Sequence, residues 1–404
     1  MMIPVDEALA RITAAFRELP SQWVHLGAAH GRVLTSDLVA DRDQPPKGVS
    51  AMDGYAVRAV DLARGGARLR LIGAAPAGGS FEGEVGAGEA VRIFTGGPLP
   101  AGADAIALQE NATEAQGLVE IEGAVETGTF VRPAGLDFRR GEVVLPAGRR
   151  LGARDLGLAA ALNRPWLPVR RRPRIALLAT GDELVMPGQP LGPDQIVNSN
   201  STALAAMVRV WGGDPVDLGI ARDEPGALVE AALDVAGLDL VVTLGGASVG
   251  DRDLVRSVLG ERGLDLDFWK IAMRPGKPLM FGRIRGTPLL GLPGNPVSAG
   301  VCAVLFVRAV ICVLLGLDAA PPMIPAVLGR ALGPNDRREE YLRARWRWRE
   351  DGRLEALPAA MQDSSMSAIF ACADCLIRRA AFAPAMEAGT TVPVLPLGAF
   401  SVGV

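Results

Sequence analysis

The chain has 404 residues, 49% of them apolar and 22% charged, and its 42 basic against 45 acidic side chains leave a formal net charge of −3. That length exceeds the roughly 250–300 residues at which one hydrophobic core stops growing, so several domains are expected in an ordinary globular composition. No basic excess points to nucleic acid; two histidines, His25 and His30, all but exclude a His-based zinc site or a Ser-His-Asp triad; and four cysteines are too few for a disulfide framework.

The opening run Met1-Met2-Ile3-Pro4-Val5-Asp6-Glu7 lacks the basic and apolar regions of a signal peptide, which points to a cytoplasmic protein. Val5, Leu9, Ile12, Phe16 and Leu19 recur at spacings of four and three, predicting an amphipathic helix over residues 4–19. From residue 31 to about 168 the texture changes to short apolar runs broken by Gly and Pro. Residues 69–72, 90–94, 105–108 and 118–121 read as strands of a small β-rich region.

After the basic hinge Arg170-Arg171-Arg172-Pro173 the pattern alternates. Strands are expected at 175–179, 216–220 and 238–244, with helices at 202–211, 223–237 and 254–262. Further strands follow at 268–273, 279–281 and 289–292, and a closing helix at 297–315. This alternation predicts a mostly parallel, doubly wound α/β sheet. The last helix is apolar enough to resemble a membrane span. Arg308 lies inside it, however, and a central Arg costs roughly 2.5–3.5 kcal/mol on insertion, so a buried helix and no membrane association are expected.

Beyond the linker Ala319-Ala320-Pro321-Pro322 the texture is β again. Arg343, Arg345, Arg347 and Arg349 alternate with Ala344, Trp346 and Trp348, a strand with one buried and one wet face in preference to a nucleic-acid platform. Cys372 and Cys375 form a lone C-x-x-C, read as strand packing in preference to a redox or metal pair.

Candidate chemistry sits in loops directly after strand patterns, where open sheets bind ligands. Thr180-Gly181-Asp182-Glu183-Leu184 follows the first such strand and the 245–253 loop, with Gly245, Gly246, Ser248, Gly250, Asp251 and Asp253, follows the buried one. Their glycines let backbone N–H groups approach an anion. Lys270, Arg274 and Lys277 surround a rigid Pro/Gly turn suited to an oxyanion or phosphate. Gly291-Leu292-Pro293-Gly294-Asn295-Pro296-Val297-Ser298 is a shaped loop ahead of the last helix. Beside an anion loop, carboxylates such as Glu183, Asp223 and Asp253 suit Mg2+; Asp223 reads equally well as the N-cap of its helix.

Taken in order, Ser50-Ala51-Met52-Asp53-Gly54-Tyr55-Ala56-Val57, Thr95-Gly96-Gly97-Pro98-Leu99-Pro100-Ala101-Gly102-Ala103-Asp104, the 180–184 and 245–253 loops, Pro275-Gly276-Lys277-Pro278 and the 291–298 loop resemble the molybdopterin molybdenumtransferase (MoeA, gephyrin E-domain) family from residue 31 to 397. One departure is Arg274, where many members carry Lys. The resemblance implies a multidomain α/β protein with a central three-layer molybdopterin-binding domain, β-rich N-terminal domains and a C-terminal β-barrel. The expected boundaries are an N-terminal helix region 1–30, a linking domain from 31–45 and 141–170, a β-rich domain 46–140, the molybdopterin-binding domain 171–318 and the barrel 319–404.

The implied reaction is that of a molybdopterin molybdotransferase: Mg2+-dependent insertion of molybdate into adenylated molybdopterin, forming molybdenum cofactor and AMP. Asp53, Thr95, Asp137, Glu183, Asp253 and Lys270 are the implied catalytic group. Gly245, Gly246, Ser248, Gly250, Arg274, Lys277, Pro293, Gly294, Asn295, Arg343 and Ser364 would contact the pterin substrate, and Glu183, Asp223 and Asp253 the Mg2+. A homodimer with shared sites is implied, served by a molybdopterin adenylyltransferase upstream. Two rivals stand beside this reading, an adenylyltransferase acting on molybdopterin itself and a non-catalytic scaffold.

Overall fold

The computed structural model describes residues 2–222, 237–245 and 264–398. The chain divides into two compact units. The smaller comprises Ser36–Ala147 and Leu158–Arg164; the larger comprises Met1–Thr35, Gly148–Gly157 and Pro165–Val404.

The smaller unit is built on a six-stranded sheet: β1 (Gly54–Val57), β2 (Gly66–Ala75), β3 (Glu89–Ile93), β4 (Ala105–Leu108), β5 (Ala112–Ala115) and β6 (Leu118–Glu122), in the order β4-β1-β3-β2-β6-β5. The four strands expected from the sequence are present, and the Gly54-to-Val57 part of the first family motif is itself the strand β1. Its residues are buried on both faces because β3 and β4 flank it antiparallel on either side and apolar clusters cover both sides of the sheet.

In the larger unit a second six-stranded sheet contains β7 (Arg174–Thr180), β8 (Asp214–Ala221), β9 (Leu240–Leu244), β10 (Leu264–Trp269), β11 (Met280–Ile284) and β12 (Thr287–Leu292). The order is β8-β7-β9-β12-β11-β10, parallel from β8 to β12 and antiparallel at β11 and β10. β7 and β9 lie in the middle and are buried almost throughout, as expected for continuous apolar runs. Among the described residues three helices cover this core: α1 (Val5–Ala14), α2 (Ser199–Trp211) and α3 (Pro296–Leu315).

Two sequence expectations shift here. α1 ends at Ala14 instead of residue 19; Phe16 and Leu19 stay buried, but the chain has left the helix to bond Leu19 N–H to the Leu314 carbonyl (2.9 Å) and enter a strand at Ser21. The strand expected at 268–273 stops at Trp269, where Lys270 takes a left-handed φ of +84°. The expected helices at 223–237 and 254–262 lie outside the described residues, apart from Gly237 at the end of the first.

α3 is the one helix among the described residues long and apolar enough to cross a membrane, and it is mostly buried in this core. Its Arg308 turns back to the carbonyls of Ala319 and Ala320 (3.1 and 2.8 Å), a cation set against the end of its own helix. Fully buried Leu and Phe side chains such as Leu305 and Phe306 each contribute roughly 1.5–3 kcal/mol.

The barrel consists of β13 (Ile324–Leu328), β14 (Glu339–Trp348), β15 (Leu354–Pro358), β16 (Cys375–Arg379) and β17 (Thr391–Pro396). β14 pairs with both β15 and β16, β13 with both β15 and β17, and β16 with β17, so the sheet closes on itself. A short helix, Ser367–Ala371, leans its Phe370 on α3 at Gly300, where an added Cβ would come within 2.3 Å of the Phe370 ring. Gly300→Ala should therefore overpack this contact and destabilise the larger unit by about 1–3 kcal/mol. Thermal melting would detect it as a lowered Tm, and an unchanged Tm would show that the ring relaxes freely.

Candidate active site

The site is laid down by the parallel strands of the larger unit. β7, β9 and β12 are adjacent, and each ends at a candidate loop: Thr180 before Gly181 and Glu183, Leu244 before Gly245, and Leu292 before Pro293, Gly294 and Asn295. The loops are in contact. Gly245 N–H donates to the Leu292 carbonyl (3.1 Å); a Cβ on Gly245, at its φ of +98°, would fall 2.7 Å from the Thr180 carbonyl oxygen, and a Cβ on Gly294 would come within 3.7 Å of the Gly245 Cα. Only glycine fits that position. The Thr180 hydroxyl is buried beside it without a hydrogen-bond partner among the described residues.

Glu183 is exposed and folds its carboxylate back over Gly181, whose missing Cβ leaves the space; an added Cβ would meet Glu183 Oε2 at 2.5 Å. Gly246, Ser248, Gly250, Asp253 and Asp223 lie outside the described residues. Among the described residues no three His, Cys, Asp or Glu side chains are grouped to hold a metal, and Glu183 is the one member there of the expected magnesium set.

The loop before α3 is tied on both sides. Asn200 in the first turn of α2 donates to the Gly294 carbonyl (2.7 Å), and Asn295 donates to the Ser364 hydroxyl (3.1 Å). Val297 N–H also donates to the Ser364 carbonyl (3.1 Å). Ser364 leads back to Arg343, because an Arg343 guanidinium N–H donates to the Asp363 carbonyl (3.1 Å), and the Gln362 side chain pairs with the Arg343 backbone in both directions (3.0 Å each). Asn295, Ser364 and Arg343 thus form one continuous wall.

Arg343 itself departs from the expected stripe. Arg345 and Arg347 are exposed, but Arg343 is 1% exposed, with Nε unpartnered. Burial draws its pKa below the usual value, opposed by Glu340 and Asp363. Bonding of the adjacent backbone by Gln362 folds the 359–366 segment over the Arg face at this point, which strand periodicity could not show.

Lys270 and Lys277 are half-buried on the loop that follows β10, and the Lys270 ammonium lies 4.0 Å from the centre of the Trp269 ring. Arg274 is exposed, with its guanidinium on Glu340 (2.5 Å) and Asp336 (3.6 Å). In the smaller unit Asp53 and Thr95 are brought together: Asp53 Oδ1 accepts both the backbone N–H and the hydroxyl of Thr95, each at 2.7 Å. Those two bonds hold the Asp53 carboxyl below the usual carboxylate range. Asp137 is exposed beside the bridge between Gln44 and Phe138, its N–H on the Gln44 carbonyl (2.9 Å).

These motifs fall in three matched regions. Residues 3–163 match the MoeA N-terminal region (domain I and II), 176–312 a probable molybdopterin binding domain, and 325–397 the MoeA C-terminal region (domain IV). The chain is 32% identical over 403 residues to the molybdopterin molybdenumtransferase of Haemophilus influenzae, covering 98% of each, and 34% identical over 404 residues to that of Bacillus subtilis, covering 97% of this chain and 94% of the relative. The chain belongs to the MoeA family. The crystal structure of a molybdopterin biosynthesis MoeA protein from Pyrococcus horikosii superposes with a TM-score of 0.85 at 30% identity, over 99% of this chain and all of that one. Membership makes this a transferase of molybdenum-cofactor biosynthesis with a MoeA fold.

Sequence reasoning missed Asn200, Glu340 and the Thr180 hydroxyl as parts of the site, and left the role of the run from Gln362 to Met366 open. Asn200 had a usable signal, standing in Asn198-Ser199-Asn200, where Asn198 caps α2 by accepting from Ser201 N–H. A cavity of about 930 Å3 lies between α2, α3 and the barrel; it shares Asn200, Leu244 and Pro296 with the site, but Lys270, Lys277 and Arg343 do not line it. Its walls are mainly apolar, so the charged chemistry belongs at its rim.

The cysteine pair divides as packing requires. Cys375 is buried in β16 with its thiol 3.8 Å from the Ala344 carbonyl and its pKa pushed up to about 12 by burial; Cys372 is exposed. Burial likewise raises the Cys302 and Cys312 thiols. A thiol-alkylating reagent at mildly alkaline pH should therefore label Cys372 alone in the folded protein, read by peptide mass spectrometry. Comparable labelling of Cys375 would refute that packing.

Proposed function

We propose that this chain inserts molybdate into adenylated molybdopterin, with Mg2+, releasing AMP. The reading rests above all on one arrangement: Thr180, Gly245 and Gly294 meeting at the carboxyl ends of β7, β9 and β12, in a unit that also carries Lys270 and Lys277 on the loop after β10. The exposed backbone and the two ammonium groups suit the phosphoanhydride of such a substrate, whose cleavage separates AMP from the pterin phosphate. The chain then needs no nucleophile of its own; its work is positioning and neutralising charge.

Glu183 and Asp253 would hold Mg2+, with Asp223 a third candidate. Carboxylates are the hard oxygen donors this ion selects, and the space over Gly181 leaves the Glu183 oxygens accessible. When bound, the ion would neutralise charge on the phosphates. Arg343, buried with unused bonding capacity, and Ser364 would receive a further polar part of the substrate. Asp53, Thr95 and Asp137 would be further members of the catalytic group, and Gly245, Gly294 and Asn295 would present backbone and amide groups to the pterin.

Turnover should require both Mg2+ and molybdate and yield AMP, with Glu183→Gln and Asp253→Asn lowering the rate by orders of magnitude at unchanged Tm. Formation of adenylated molybdopterin from ATP and free molybdopterin without molybdate would favour the adenylyltransferase reading instead. No AMP release under any condition would favour the scaffold. Early melting in both variants, with activity tracking the folded fraction, would remove the carboxylates from the chemistry.

The working form is proposed to be a cytoplasmic homodimer with sites shared between subunits, receiving substrate from a molybdopterin adenylyltransferase. Mixing inactive Asp253→Asn and Asp53→Asn subunits should restore up to about half the sites in each heterodimer if the two carboxylates of one site come from different subunits, since a symmetric pair then yields one site with both lesions and one with neither. A monomer in sedimentation, or no recovery despite proven exchange, would overturn shared sites.

A further inference from the structure

The loop from Lys270 to Leu279 is held by its backbone at three places. Lys270 N–H bonds the Leu279 carbonyl (2.9 Å) and Ile271 N–H the Lys277 carbonyl (3.1 Å), closing the loop on itself. Ala272 N–H bonds the Ile3 carbonyl (2.8 Å), just before α1. Glu339 N–H bonds the Ala272 carbonyl (2.9 Å), and Met273–Arg274 then runs parallel to the start of β14, with Arg274 opposite Glu340.

That register places Glu340 between two guanidinium groups. One of its oxygens accepts from Arg274, and the other from Arg379 at 3.1 Å, where Glu340 and Arg379 are 6% and 5% exposed. Arg379 is itself fixed to the carbonyls of Gly333 and Pro384. Asp336 adds a second carboxylate to Arg274 at 3.6 Å, and Arg338, with a smaller contribution from Arg274, holds its pKa down to about 2, so it is charged at any working pH. The Arg274 fork therefore spans two anions, which a single ammonium point charge does less well. Its attraction for an outside anion is largely spent. Among the described residues Lys270 and Lys277 have no carboxylate within ion-pair distance.

We propose that Glu340 is a positioning residue of this transferase, acting through Arg274 as a strut that sets the loop, and that Lys270 and Lys277 are the cations that meet the substrate's phosphates. The proposal rests on the functional reading above. It departs from the sequence expectation, in which Arg274 itself contacts substrate. The two roles give opposite signs on Glu340→Gln. If Arg274 is a substrate ligand, neutralising Glu340 frees a guanidinium and AMP binds more tightly; if it is a strut, the loop loses its anchor and AMP binds more weakly.

The test measures the Kd of AMP by calorimetry, with Mg2+ present, for the full chain and for Glu340→Gln, Arg274→Met, Arg274→Lys and the Glu340→Gln/Arg274→Met double variant. Amide hydrogen exchange at Lys270, Ile271 and Leu279 is followed in parallel. Glu340→Gln and Arg274→Met should each weaken AMP by about tenfold to a hundredfold, the cost of a small misplacement of binding groups. They should also speed exchange at the three amides, and the double variant should be no worse than the weaker-binding single. Arg274→Lys should fall between Arg274→Met and the parent. Unchanged or tighter AMP binding in Glu340→Gln, with weaker binding in Arg274→Met, would overturn the proposal. If the parent itself does not bind AMP, the functional reading fails, and the exchange rates decide the strut alone: unchanged exchange in Arg274→Met sinks it. Arg274 is exposed, so that variant keeps the test decisive even where replacing the buried Glu340 costs the fold.

Discussion

Gly245 sits where a side chain would strike the Thr180 carbonyl, and most of the candidate site follows from that close approach. Because backbone meets backbone there, the ends of β7, β9 and β12 converge instead of splaying, bringing Thr180, Gly245 and Gly294 together. Asn200 and Ser364 then fix the outermost loop from the helix side and from the barrel side. A Cβ at residue 245 would displace all of these together.

The barrel contributes electrostatics more than shape. β14 runs from the anion loop at Glu339 and Glu340 to the Ser364 wall at Arg343, so four consecutive steps of one strand connect the two charged parts of the larger unit. Charges inside a low-dielectric wall are costly unless paired, and pairing there is unequal. Glu340 pairs with both Arg379 and Arg274, whereas among the described residues Arg343 makes no ion pair and its guanidinium bonds only the Asp363 carbonyl. The strand holds one cation rigid and leaves another with capacity to bind.

Periodicity and turn chemistry made the sheet order's parallel core, the buried helix over 297–315 and the closing β region legible before any coordinates. They succeed where each residue answers to one neighbour or one face. They failed where a distant segment changes the surroundings. Arg343 looks like its exposed neighbours Arg345 and Arg347 until Gln362 folds across it, and Glu340 drew no reading from the sequence because its partner Arg379 arrives from β16. The loop glycines, Lys270 and Asn295 were identifiable from motif; their mutual contacts were not, since those depend on which strands lie side by side. The length of α1 was misjudged for a related reason, as Phe16 and Leu19 keep helical spacing while packing from irregular backbone.

The barrel's closure also bears on biosynthesis at the ribosome. Domains fold as they emerge, amino-terminal parts first. The strand that completes the ring, β17, is made after β13 to β16, and β14, which anchors the Lys270 loop, is held on one side by β16, which itself pairs with β17. A nascent chain can thus form its parallel sheet long before its cationic loop is locked. Setting of the Lys270 loop therefore waits on chain as far as residue 396, long after the strands of the parallel sheet have been made.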